Sequence, residues 1–225
     1  MSGSNRLGRL VPLAGVVFAV LTMAGYLTIG PFPDSEASVS ELTSFYAAHH
    51  SQVATGGLLL GLAAIFFALF GTAVWARIRS TDLHPVVAGT ALVGTAMAAV
   101  SLVEGAGAYS ILGEIGHQPW LLPAALQATH VGGTVGGVDG GTVLFLLAVA
   151  TAGIAGRAFP RWLAVPALAL AIVYFTPFGY FASLFVLLWA AVTGIVMAVR
   201  PAPSVPATTE VAAPAVGSGP ALTSR

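Results

Sequence analysis

The chain contains no cysteine and no lysine, and only 7% of its 225 residues carry a charged side chain. Without cysteine it forms no disulfide, thiolate nucleophile, thiolate metal site or covalent c-type haem attachment. Soluble domains contain roughly 25% charged residues, so a chain with so few cannot cover its surface with polar groups. The formal net charge is zero, which gives no basis for binding nucleic acid.

What the sequence has in abundance is hydrophobic residues, which make up 57% of the chain. A helix that crosses a bilayer core needs about 20 mainly apolar residues. Six runs meet or approach that length, so we predict an all-α, polytopic transmembrane helix bundle with six spans, embedded in the lipid bilayer over residues 10–200. The short linker between the last two spans predicts a helical hairpin. The predicted spans cover residues 10–29, 55–76, 86–106, 136–156, 162–178 and 180–199.

The positions of the arginines predict how the bundle is oriented. All eight fall on one side of the six predicted spans, and the opposite side has acidic residues but no arginine. Cationic residues collect on the cytoplasmic side of membrane proteins. We therefore expect a plasma-membrane protein with both termini cytoplasmic: a short N-terminal segment over 1–9, and a disordered tail over 201–225 that is rich in Pro, Ala, Ser and Thr. The eight arginines are Arg6, Arg9, Arg77, Arg79, Arg157, Arg161, Arg200 and Arg225.

Residues 38–50 predict a short amphipathic helix on the outer side, ahead of the second span. Ser38 and Glu41 have the spacing of a capping box, in which each side chain accepts a hydrogen bond from a free amide at the helix start. The alternative is a surface loop, but helical spacing continues beyond the cap and favours the helix. The side chains at that spacing are Val39, Leu42, Phe45, Tyr46 and His49.

Three glycine pairs recur every four residues in the stretch HVGGTVGGVDGGTV, which begins at residue 130 and leads into the fourth span. Residues four apart share one helix face, so the stretch predicts a broad groove against which another helix packs backbone to backbone. Gly57 and Gly61 offer a similar face, and such faces serve a second copy of the chain equally well. The alternative is an unwound or re-entrant segment whose carbonyl groups line a cavity. The six glycines are Gly132, Gly133, Gly136, Gly137, Gly140 and Gly141.

Polar side chains cluster near the outer ends of the predicted spans. Helical rise counted from the cytoplasmic ends of the spans puts Glu104 and Asp139 near the outer boundary of the bilayer core. A carboxylate at that depth either reaches into water or belongs to a functional site. We predict an outer-rim polar pocket formed by Glu104, Asp139, His130 and His49. His130 and Asp139 lie on opposite faces of a continuous helix, so pairing them requires a helix break.

Three stretches carry a resemblance to a known group of proteins: RLGRLVPLAGVVFAVL, SFYAAHH and FPRWLAVPALALAIVYFTPFGY. They resemble the small six-helix membrane proteins of unknown function that are common in actinobacteria. The resemblance covers residues 6–200 and implies an integral membrane location with six spans, but no activity and no catalytic residue. The glycine pairs over 130–141 depart from such proteins, which puts any shared site there in doubt.

The sequence is compatible with three functions. The first is a binding, sensing or accessory bundle whose rim pocket engages a small molecule, a lipid or a protein subunit. The second is a small proton- or cation-coupled transporter, which the lack of an ionisable residue near mid-membrane disfavours. The third is a membrane-embedded, metal-assisted hydrolase. The sequence has no HExxH motif and no phosphate-loop or dinucleotide signature, so we predict no metal and no cofactor.

Overall fold

The computed structural model describes residues 10–31, 33, 37–115, 118, 120–121, 123, 139–176 and 178–200, except for the side chain of Tyr180. These residues form six α-helices and no β-strand, which confirms the predicted all-α class. The predicted terminal segments 1–9 and 201–225 lie outside the described residues.

The helices are α1 (Ala14–Ile29), which follows a 3-10 turn over Val11–Leu13, α2 (Val39–Arg79), α3 (Pro85–Ile115), α4 (Gly140–Ile154), α5 (Arg161–Val173) and α6 (Gly179–Val199). Four of them, α1 with its 3-10 turn, α2, α3 and α6, are long and apolar enough to cross a membrane. This supports a membrane protein. The other two, α4 and α5, are apolar but shorter, with 15 and 13 residues.

The six helices pack in chain order and close into a ring. Each helix from α1 to α5 contacts the next one, and α6 returns to contact α1. Lipid tails are as apolar as leucine, so helices in a membrane associate through close packing. A Cβ atom at Gly57 would lie 2.7 Å from the Ser110 amide nitrogen, and one at Gly113 would lie 2.5 Å from the Ala54 amide nitrogen. The α2 and α3 backbones are therefore in direct contact at both glycines.

An aromatic cluster fills the centre of the ring. Phe145 of α4 lies edge-on to Phe67 and Phe70 of α2, with ring centroids 5.5 and 6.0 Å apart, and to Trp189 of α6 at 6.1 Å. The indole nitrogen of Trp189 donates a hydrogen bond to the Leu163 carbonyl at 3.0 Å, which satisfies its polar group inside the core. The cluster therefore joins α2, α4, α5 and α6.

One helix, α2, contains both the predicted outer helix and the predicted second span. Its 41 residues would extend about 62 Å, twice the thickness of a bilayer core, so it is longer than one membrane crossing requires. The predicted capping box is present, with Ser38 as N-cap and Glu41 as its partner. His49 interrupts the helical backbone with φ −114° and ψ 16°. The boundary between the two predicted segments is therefore a kink and not a loop.

Acidification below about pH 4.5 is expected to fray the first turn of α2. The Ser38 amide and hydroxyl donate to the Glu41 carboxylate at 2.7 and 3.0 Å, and these hydrogen bonds hold the pKa of Glu41 below its ordinary value of 4.5. Because the pKa of Glu41 is lower in the folded turn than in the unfolded chain, the ionised carboxylate stabilises the turn at pH values above the unfolded pKa. This stabilisation is lost as the pH falls through the folded pKa. Hydrogen exchange at residues 39–46, corrected for intrinsic rates, should show lost protection at about pH 3 compared with pH 6.

The matched control is Glu41→Gln, because glutamine keeps the capping geometry without the charge. Its protection should change little between the two pH values. An equal loss of protection in wild type and Glu41→Gln would contradict the role of the carboxylate.

Candidate functional site

A cavity of about 540 Å³ lies inside the ring, toward the end where α4 begins and α5 turns into α6. Eight of its fifteen described lining residues carry a hydroxyl or a carboxylate, and the others are apolar or glycine. This mixture suits a ligand with a polar group and an apolar body. The polar lining residues are Thr22, Tyr26, Ser101, Asp139, Thr142, Tyr174, Thr176 and Ser183, and the others are Phe18, Phe67, Leu102, Gly179, Leu184, Val186 and Leu187.

Asp139 is the only Asp, Glu, His, Lys or Arg among the described lining residues. It is the N-cap of α4, with an extended backbone at ψ 91°. One carboxylate oxygen, Oδ1, accepts a hydrogen bond from the Gly141 amide at 3.0 Å, and Oδ2 accepts one from the Thr142 hydroxyl. The Ser101 hydroxyl of α3 donates to Oδ1 at a long 3.5 Å. The helix start therefore fixes the carboxylate at the cavity wall and leaves lone pairs for a ligand.

A buried hydroxyl in the cavity wall has no hydrogen-bond partner among the described residues. Thr22 of α1 is only 3% exposed, and its Oγ1 atom makes no hydrogen bond. Leaving a buried hydroxyl unpaired costs about 1–3 kcal/mol. Across the cavity, the Tyr174 and Ser183 hydroxyls bond each other at 3.1 Å. The Thr22 hydroxyl oxygen is therefore an unpaired polar atom enclosed in the wall, whereas the Tyr174 and Ser183 hydroxyls satisfy each other.

Of the three predicted rim residues that the structure describes, only Asp139 lines the cavity. Glu104 is exposed on α3 and does not line the cavity; it lies about 60° around the helix from Ser101, on the side away from Leu102, which is about 160° from it. His49 lies at the α2 kink, where its Nδ1 atom pairs with the Phe45 carbonyl at 2.9 Å and its ring stacks on Phe45. His130 lies outside the described residues.

Sequence reasoning missed the hydroxyl residues that surround Asp139. Two spacings could have revealed them. Thr142 follows Asp139 by three residues, which is the spacing of an N-cap and its N3 partner. Thr22 and Tyr26 lie four residues apart and therefore share one face of α1.

The described glycines of the predicted packing groove behave differently from one another. A Cβ atom at Gly141 would clash with the backbone of Ala98 and Met97 in α3, whereas one at Gly140 would meet nothing within 4 Å. Gly61, in α2, is in ordinary contact range of Ala106, at 3.8 Å. The helix begins at Gly140, later than the predicted residue 136, because Asp139 is extended and caps it. The described part of the stripe, Gly140 and Gly141, therefore begins directly after the Asp139 cap. The remaining four glycines, Gly132, Gly133, Gly136 and Gly137, lie outside the described residues.

Within the described ranges, no three His, Asp or Glu side chains come together as a metal site would require. In comparisons with known families, curated proteins and solved structures, nothing matches this chain.

Proposed function

We propose that the chain is a six-span plasma-membrane protein with cytoplasmic termini, similar to the actinobacterial proteins that its sequence resembles. The ring order supports six spans, because α4 and α5 lie between helices that are long enough to cross. At about 22 and 20 Å, α4 and α5 are shorter than a bilayer core. Local thinning and interfacial side chains accommodate short spans, and Arg161 and Trp162 stand at the start of α5.

The function that the geometry supports best is binding of a small organic cation with an apolar body. The observation that carries it is a single carboxylate, Asp139, in the wall of a 540 Å³ cavity that has no cationic group among its described lining residues. Cavities of about 300–1,000 Å³ are typical of small-molecule sites. Tyr26, Tyr174 and Phe18 add aromatic rings, whose faces attract cations. Binding of such a cation in this cavity is the basis of the proposed binding or sensing role of the protein.

Asp139→Asn is expected to weaken binding of a hydrophobic cation about tenfold or more, because one charge-assisted interaction is lost. Asparagine caps helices as well as aspartate does, so α4 should remain intact. The measurement is equilibrium binding of radiolabelled tetraphenylphosphonium to the full chain in a neutral detergent. Neutral triphenylphosphine oxide, used as a competitor, should not displace it. The matched control is Glu104→Gln, which removes an exposed carboxylate that does not line the cavity.

A second pair of variants tests the place of binding. Thr22 and Thr193 are both buried with an unpartnered hydroxyl, but only Thr22 lines the cavity. Thr22→Leu, which adds bulk to the cavity wall, should weaken tetraphenylphosphonium binding, and Thr193→Val, which changes a buried threonine outside that wall, should leave it unchanged. Absence of binding to wild type, or equal binding by wild type and Asp139→Asn, would overturn the proposal.

A cation-coupled transporter is the second candidate, because the same carboxylate faces a cavity within the ring. It requires cation flux into liposomes that Asp139→Asn abolishes. The metal-assisted hydrolase stays a prediction that depends on His130. Its test is the metal content of wild type beside His130→Ala.

A further inference from the structure

A second cavity, which we name the arginine pocket, lies at the end of the bundle away from Asp139. It has a volume of about 520 Å³ and is open to the surface. Four of its eight described lining residues are arginines from three parts of the chain, and none is Asp or Glu. The lining residues are Arg77, Arg157, Arg161, Arg200, Gly153, Ala158, Phe159 and Pro160.

The arginine pocket is held in shape by Arg77, at the end of α2. Its Nε atom donates to the Ala158 carbonyl at 2.7 Å, and its Nη1 atom donates to the Arg200 carbonyl at 2.6 Å. The guanidinium group also stands over the Phe159 ring, 5.6 Å from the centroid. One side chain thus ties α2 to the α4–α5 loop and to the end of α6. The tertiary contacts of Arg77 therefore bring together the chain segments that carry the other three arginines.

The backbone brings a further arginine to the pocket in a strained conformation. Arg157 has φ 53°, in the left-handed region, and is the only described residue other than glycine with a positive φ. Such conformations persist where surrounding contacts enforce them. Here the amide of the next residue, Ala158, donates a hydrogen bond to the Ala152 carbonyl. The Ala158 carbonyl accepts one from Arg77. These contacts hold the backbone at Arg157 so that it lies beside the other arginines of the pocket.

Four like charges around one depression repel one another unless an anion neutralises them. The start of α5 adds to this field, because its N-cap is Pro160, which supplies no side-chain cap, and a helix N-terminus carries partial positive charge. Planar guanidinium groups recognise phosphate oxygens with paired hydrogen bonds. We propose that the arginine pocket binds a phosphate group. Its position at the helix ends, beside the 56% exposed Trp162, suits the headgroup of an anionic phospholipid or a free phosphate.

The test measures anion binding by the full chain in a neutral detergent, with three probes. Native mass spectrometry follows dioleoyl phosphatidylglycerol, with dioleoyl phosphatidylcholine as the zwitterionic comparison, and calorimetry follows inorganic phosphate. The variants are Arg161→Gln and Arg157→Gly, since glycine adopts the left-handed conformation without strain. The matched control is Arg79→Gln, which removes a cation from the same end of the bundle. Arg79 stands over Trp75 and does not line the pocket.

We expect each pocket variant to bind the anion about tenfold more weakly, as loss of one charge-assisted hydrogen bond predicts, while Arg79→Gln binds like wild type. If wild type binds phosphatidylglycerol in preference to phosphatidylcholine and the variants show this pattern, the bound phosphate group belongs to a lipid headgroup. Saturable phosphate binding with the same pattern and no lipid preference identifies a soluble phosphate compound. No anion binding to wild type, or an equal loss in Arg79→Gln and the pocket variants, would overturn the proposal. Because no lining residue is shared with the Asp139 cavity, failure here leaves the proposed cation site untouched.

Discussion

A single methyl group at Gly141 is expected to destabilise the bundle by about 3 kcal/mol, the upper part of the range for overpacking a core. At Gly141 the added Cβ atom would lie 2.7 Å from the Met97 carbonyl carbon and closer still to the Ala98 amide nitrogen. Both obstacles are backbone atoms and cannot rotate away, so α3 and α4 must separate. The same crossing brings Gly94 of α3 within contact of the Phe145 backbone. Separation at this crossing therefore loosens the packing along both helices.

Gly140→Ala is the matched control for Gly141→Ala. Gly140 is the neighbouring residue at the start of the same helix, it has no atom within 4 Å of an added Cβ, and its φ is not positive. Alanine should be neutral or slightly stabilising there. The measurement is the thermal midpoint of the monodisperse peak of a fluorescent fusion protein in detergent. Equal midpoints for the two variants would show that α3 and α4 do not approach as closely as described.

Truncation of Phe145 to alanine is expected to cost about 3 kcal/mol, the lower end of the range for large aromatic residues in soluble cores. The lower end applies because detergent and lipid solvate an apolar ring well, so most of the loss is contact energy and the void left behind. Phe145 is 1% exposed and contacts three aromatic rings of α2 and α6. Phe145→Ala therefore removes the one ring that contacts the other three rings of the cluster.

Phe185→Ala is the comparison for Phe145→Ala. Phe185 is the same residue type on α6 but is 61% exposed on the outside of the ring. Its loss should lower the thermal midpoint far less than the loss of Phe145. Equal sensitivity of the two positions would mean that the aromatic cluster does not hold the ring together.

The existence of the helices could be predicted from the sequence because it depends on local properties. Apolar length indicated the helices, and the capping box at Ser38 indicated where α2 begins. Boundaries were less predictable, because α2 runs on through His49 with a kink where two separate segments were expected. Nothing in the local composition distinguishes a kinked helix from two helices joined by a short turn.

The cavity was far less predictable, since it depends on which helix faces converge. In a membrane helix the outward face is as apolar as the inward one, so hydrophobic periodicity carries little information about orientation. Leu27, at the end of α1, is 74% exposed, whereas Phe18 of the same helix is 4% exposed. Asp139 could be singled out because charge is rare here. The partnerless state of Thr22 is a tertiary property that only the assembled ring reveals.

Packing in chain order has a consequence for how the molecule is made. Each helix from α2 to α6 packs against the one synthesised just before it, so most contacts join neighbours in the chain and can form as it emerges. The exception is the return of α6 to α1, which joins the two ends of the described chain. Because α6 supplies one wall of the Asp139 cavity, that cavity is the last feature to be completed. Before α6 packs, one side of the cavity is open, so we expect the proposed binding site to be complete only after this helix is in place.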